Sequence, residues 1–402
     1  ASEGTLTITG GIFNASSVEG STAAAVYQKN GTVKISGTTA KLLGSNALVA
    51  QVGAGSTGTM VTELSGGTYS TKPDEAWVVE GKEIHDTDDG MYKVEGPYLV
   101  EVTLEDGTVH KFDSWSKAFY STEAQEHNAT VKLLTDIETT STVTTWATVT
   151  VDFNGHTLTV NGSGVAAITA LTKGTAANVT LMDSVGNGGM VTTGVYGVTV
   201  KGSNTTLTVE SGNYNCYTSV VQVEKPVSGV ATAYIKGGTF QTEDAVKSYL
   251  LNCIDEAFKD GTAKMEVTGG TFYGFDPSAN PEGENTTYVK AGYVSNDNGD
   301  GTYTVEEYKP VEVWTGYTGT KVASYATIKE AVANLGNNKW IVIAKDYTLD
   351  EDFTIPTGVF LDVASGATLT VAEGTTLTVA ADAKRLGVRT GATLENNGTI
   401  MV

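Results

Sequence analysis

The residues best equipped for chemistry are few, and their spacing argues against catalysis. Carboxylates gather in two turns, Asp86-Thr87-Asp88-Asp89-Gly90 and Asp297-Asn298-Gly299-Asp300-Gly301. A calcium loop of the EF type needs alternating oxygen ligands and a later bidentate Glu. Here a strand-like run follows at once, Tyr92-Lys93-Val94 in one copy and Tyr303-Thr304-Val305 in the other, so both read as solvated turns. Glycoside hydrolysis needs two carboxylates facing across a groove. Asp88-Asp89 is not matched by such a pair in its counterpart Gly299-Asp300. Lyase chemistry on acidic sugars needs clustered carboxylates for calcium and a basic residue to abstract a proton. The only arginines, Arg385 and Arg389, have no acidic ladder beside them in sequence. His85, His110, His127 and His156 are scattered. The expectation is a chain that is not an enzyme, with no catalytic residue, no metal site and no cofactor.

Two cysteines remain. Cys216 and Cys253 align with Ala15 and Ala50 in an internal repeat, so both positions want a small apolar side chain. Two buried free thiols fit that preference. A single disulfide fits the same residues, because sequence does not give the Cα separation a bridge requires. Thr-x-Thr runs (Thr157/Thr159, Thr206/Thr208, Thr368/Thr370, Thr376/Thr378) would suit an ice-binding solenoid only if repeated on consecutive coils, and Lys34, Lys201, Lys264 and Glu266 interrupt them. Trp115 aligns with Ile328, which makes it a core or cap residue rather than a sugar-stacking one.

The elements that would position these residues repeat out of phase. Thr5-Leu6-Thr7-Ile8-Thr9-Gly10-Gly11-Ile12-Phe13 recurs as Thr206-Leu207-Thr208-Val209-Glu210-Ser211-Gly212-Asn213-Tyr214. Gly155-His156-Thr157-Leu158-Thr159-Val160 recurs as Gly366-Ala367-Thr368-Leu369-Thr370-Val371, and Gly189-Met190-Val191 aligns with Ile400-Met401-Val402. The sequence therefore divides into residues 1–102, the tail half of a unit; 103–308, a complete unit; and 309–402, the head half of a third. Long internal periods mark arrays in which each unit buries surface against its neighbours.

Short runs with a period of two and β-branched residues, such as Thr32-Val33-Lys34-Ile35 and Thr148-Val149-Thr150-Val151, predict strands with one face buried. Gly-Gly or Ser-Gly pairs follow several of them, with an aromatic two residues later: Phe13, Tyr69, Tyr214, Phe240 and Phe272. A glycine permits a positive φ at a sharp corner, after which the aromatic turns inward. Short strands between such corners suit an all-β parallel β-helix, a β-solenoid, better than a sandwich built from symmetric hairpins. Helical spacing near 114–123 (Trp115, Ala118, Phe119) and near 325–335 (Ile328, Ala331, Val332, Leu335) predicts short helices capping the first coil of each unit. A third helical spacing runs from Glu243 to Phe258. The acidic turns predict β-ribbon closures at unit ends.

These motifs resemble the repeats of large secreted proteins of gut bacteria, chiefly Firmicutes, with similar runs in phage structural proteins. The Gly-Gly-Thr-Phe/Tyr corners, Asp152-Phe153-Asn154-Gly155-His156-Thr157-Leu158, and Gly292-Tyr293 with Asp300-Gly301-Thr302-Tyr303-Thr304-Val305 carry the resemblance. It implies a right-handed parallel β-helix of the pectin-lyase-like type, extracellular or on the cell surface, and no catalytic residues.

Charge narrows the partners. A net charge of −21 with charged residues at only 18% argues against a nucleic-acid partner, whose phosphates need clustered Lys and Arg. No apolar run approaches ~18 residues, so membrane insertion is not expected. A chain opening on a tail half and closing on a head half can complete a solenoid with the next molecule, leaving a gap of about one strand. The expected function is a structural surface protein that polymerises head to tail into a filament. Its self-assembly interface is then Leu6, Ile8 and Phe13 with Leu394, Ile400 and Val402. The competing expectation is a stalk segment of a larger adhesin or phage tail-type protein, with host glycans, host proteins or the cell wall as partners.

Overall fold

Alternating threonine and valine runs, each too short to make a sheet alone, are stacked here on copies of themselves. The computed structural model describes residues 4–15, 23–52, 58–87, 89–126, 128–164, 166–243, 249–283 and 286–402. About 48% of the chain is strand and 6% helix, wound into a β-solenoid of about 14 turns. In the middle of the chain, strands Thr148–Asp152, Asn178–Met182, Thr206–Val209, Ala231–Ile235 and Ala263–Val267 pair in parallel order on one face. Their register places Val149, Val179, Leu207, Ala233 and Met265 in one column, and all five are buried. Thr150, Thr180, Thr208 and Tyr234 form the alternate, outward column. This is the period-two pattern read directly as inside and outside.

Two further faces complete each coil. Thr157–Val160, Gly189–Thr192, Asn213–Cys216, Thr239–Thr242 and Gly270–Tyr273 make the second. Val143–Thr145, Ala166–Ala170, Tyr196–Val200, Val221–Val223 and Leu251–Cys253 make the third. The corner before Phe272 shows why two glycines recur. A Cβ on Gly269 would lie 2.0 Å from the Lys236 carbonyl oxygen of the coil below, and Gly270 has φ +111°. Past the corner the aromatics turn in and stack. Tyr214 and Phe240 have ring centroids 5.3 Å apart, and Phe240 and Phe272 4.9 Å, nearly coplanar in both pairs. Tyr69 and Tyr214 also spend their hydroxyls, donating to the Gly66 and Ser211 carbonyls at 2.7 Å.

The buried apolar residues form three clusters: Ile8 to Val94, Val100 to Val305, and Val311 to Leu377. Strand Val100–Leu104 spans the position where the sequence sets the first boundary, and it packs with the central cluster. It pairs antiparallel with strands Val109–Phe112 and Ala129–Leu133, so a hairpin covers the edge of the first central coil. Helices Trp115–Phe119 and Thr122–Glu126 sit against it, with Trp115 1% exposed. The C-terminal cluster opens the same way. Hairpin Val311–Trp314/Lys321–Tyr325 covers strand Trp340–Ile343, and helix Ile328–Ala333 begins on a capping box of Thr327 and Glu330. Ribbons close the other two clusters: Glu83–Asp86 with Tyr92–Glu95, and Tyr293–Asp297 with Thr302–Glu307.

Two details depart from the sequence reading. The Glu243 to Phe258 spacing yields strand Leu251–Cys253 followed by a short helix, Asp255–Lys259, because Leu251 and Cys253 stack on Val221 and Val223 of the coil below. Residues 244–248 of that run lie outside the described residues. The terminal alignment also shifts by one strand. Strand Gly189–Thr192 corresponds to Thr393–Asn396, and Thr399–Met401 corresponds to Tyr196–Val200. The last coil is therefore complete on all three faces.

Candidate functional site

Both ends of the described stack lack the cover found elsewhere. The first coil is Thr5–Ile8, Ile12–Ala15 and Ala24–Gln28. Its inward column positions are Leu6, Ile8, Phe13 and Val26, paired with Val33, Ile35, Leu42 and Leu48. Leu6 is 46% and Phe13 37% exposed, whereas Ile8 and Val26 are already buried by their own coil and the one above. The last coil is Arg385–Val388, Thr393–Asn396 and Thr399–Met401. Leu386, Leu394 and Ile400 are half-buried against Leu361, Leu369 and Leu377. Val388, in the same inward column as Val363, is exposed, as is Val402. Of the six residues singled out from sequence, three lie on each terminal coil, and Ile8 is the one with little free surface. Leu386 and Val388 belong to the same face and were missed. Their alternation is masked by Arg385, Gly387 and Arg389 around them.

The two arginines have a different task. Asp362, with a fully buried side chain, accepts from Arg385 Nε at 2.7 Å and Nη2 at 2.6 Å. It also accepts from Trp340 Nε1 at 2.9 Å and Arg389 Nη2 at 3.3 Å. Burial alone would raise the carboxyl's pKa, but the hydrogen bonds from Arg385 and Trp340, with the Arg385 charge, outweigh it and hold the pKa below the ordinary value. Both guanidinium groups lie against the Tyr317 ring, at 5.0 and 4.8 Å, and Trp340 stacks on Phe360 at 3.7 Å. This cluster sets two guanidinium groups on one carboxylate and ties the last coil to the two before it. An aspartate inside the apolar run Phe360-Leu361-Asp362-Val363 was its only trace in sequence.

The described acidic-turn and histidine side chains singled out from sequence have local contacts. Asp297 accepts the Gly299 N–H, and Asp300 accepts both the N–H and the hydroxyl of Thr302. Asp89 takes the Thr87 hydroxyl, while Asp88 and His127 lie outside the described residues. His85 contacts the Gly96 carbonyl and the Tyr98 ring, His110 lies 3.8 Å from Glu123, and His156 3.4 Å from Asp136. Among the described residues, no three His, Cys, Asp or Glu side chains are grouped as a metal ion would require. No helix among them is long and apolar enough to cross a membrane. Cys216 and Cys253 are free, buried thiols, and burial pushes both up to about 12. Glu282 is 2% exposed and accepts from the Tyr288 hydroxyl and the Cys253 N–H, which pins Glu282 and Tyr288 over strand Leu251–Cys253.

No protein-family model, curated protein or solved structure matches the chain.

Proposed function

We propose that this chain is a non-enzymatic structural protein of the bacterial cell surface whose solenoid units stack end to end into an extracellular filament. The observation that supports it is the pair of uncovered coils. Hairpins, helices and ribbons cover the coil edges facing residues 83–126 and 293–333, while Leu6, Phe13 and Val388 stay exposed at column positions that are inward elsewhere. An uncovered coil presents unpaired backbone groups as well as apolar side chains, and such edges pair readily. A contact between two different faces of the same molecule propagates as a filament when its rotation does not close a ring, as for coils stacked along one axis. The surface location rests on the resemblance of the corner and closure motifs to exported repeats. In a longer polypeptide the same faces would be bridged along the chain, as in a stalk.

Electron microscopy of the purified chain tests the proposal. Unbranched fibres that lengthen with concentration are expected, and single particles at every concentration would favour the stalk.

A further inference from the structure

Building on that end-to-end reading, we infer that the junction has one register: the last coil of one molecule stacks beneath the first coil of a second copy as the third central coil stacks beneath the fourth. The argument rests on coil equivalence. The third central coil is Asn178–Met182, Gly189–Thr192 and Tyr196–Val200, and the fourth is Thr206–Val209, Asn213–Cys216 and Val221–Val223. Counting from the capping hairpins, Val131 and Ile341 occupy the same place, each five residues before an aspartate that accepts a backbone N–H from the next coil, Asp136 from Thr157 and Asp346 from Thr368. Following the register upward, Leu386 falls at the Leu181 position, Leu394 at Met190 and Ile400 at Val198. Counting down from the closing ribbons, Ile8, Phe13 and Val26 fall at Val209, Tyr214 and Val221.

In the central unit those residues are joined directly: Leu181 pairs with Val209, Met190 with Tyr214 and Val198 with Val221, and all six are buried. The two open faces are thus copies of two faces already stacked on each other within one molecule. The junction then pairs Leu386 with Ile8, Leu394 with Phe13 and Ile400 with Val26, extending all three sheets across the boundary. Each side supplies the apolar column and the strand edge that the other lacks, and on the end-to-end reading the occupant is a second copy of this chain.

Cysteine cross-linking reads the register. Val191 and Asn215 are outward partners across the central stack, which places Glu395 opposite Asn14 at the junction. Neighbouring strands hold Cα atoms within disulfide reach. Mixing Glu395→Cys with Asn14→Cys under mild oxidation should give a covalent dimer. Glu395→Cys with Ile12→Cys, two residues out of register on the same strand, should give none. The native thiols are buried and do not compete. Equal or greater cross-linking in the Ile12 mixture, with the parent still assembling, would overturn the register and leave end-to-end assembly standing. A parent that never assembles would overturn both.

Discussion

Phe13 and Leu42 are partners in register on adjacent coils, yet Leu42 is fully buried and Phe13 is 37% exposed. Both point along the inward column that continues to Tyr69, so they differ only in what lies beneath them. Leu42 has a coil on each side, and Phe13 has one. Removing such an aromatic from water is worth about 25 cal/mol per Å² of apolar surface, less the cost of association. The same reasoning predicts a core that tolerates little substitution and two ends that gain by being covered.

One residue at the open C-terminal face should work against the proposed assembly. Lys384 N–H donates to the Val359 carbonyl, which places its side chain at the column position that Val179 fills in the central unit. In the proposed register it meets Leu6, as Val179 meets Leu207. Its amine must reach around the rim to stay hydrated. Lys384→Val should therefore assemble at lower protein concentration than the parent. Light scattering against concentration measures this, and an unchanged threshold would show that Lys384 is not in the contact.

Inside the central unit, Phe240 stacks between Tyr214 and Phe272 and is fully buried. Phe240→Ala leaves a cavity between two coils that are fixed by their backbone ladders and cannot close over it. It should cost about 3–5 kcal/mol, seen in chemical denaturation followed by tryptophan fluorescence. A loss below about 1 kcal/mol would mean that the ladder, not the aromatic column, holds these coils.

Asp362 predicts an acid response confined to the C-terminal coils. Its folded pKa is depressed, so its contribution is present above the unfolded value of about 3.9 and is lost as pH falls through the folded value. Asp362→Asn removes the charge and leaves two guanidinium groups without a counterion, at a cost of about 3 kcal/mol at neutral pH. Melting of parent and variant should differ at neutral pH and converge in strong acid. A constant difference across that range would contradict the ion pair's role.

Much of this was legible because solenoid strands are read twice, once by alternation and again by repetition. The corners at Tyr69, Tyr214, Phe240 and Phe272, the capping helices and the ribbons all announced themselves through local pattern. The third face did not. Several of its strands, such as Val221–Val223 and Thr399–Met401, are only three residues long, too short to show an alternation. That is why Thr399–Met401 was aligned one strand early; Ile8, on the first face, looked as available as Phe13 for another reason. Alternation shows which way a side chain points. Whether a coil covers it depends on stacking, and only the register reveals that.

Sedimentation velocity over a concentration series, comparing the parent with Phe13→Asp, tests assembly most directly. A charge at this position would be buried without a partner in any stacked junction, at a cost of several kcal/mol, while Phe13 is exposed enough in the single chain for the fold to survive. The account predicts a parent whose sedimentation coefficient climbs with concentration and a variant that stays monomeric with unchanged circular dichroism. A parent that remains monomeric, or a folded variant that assembles equally well, would contradict it.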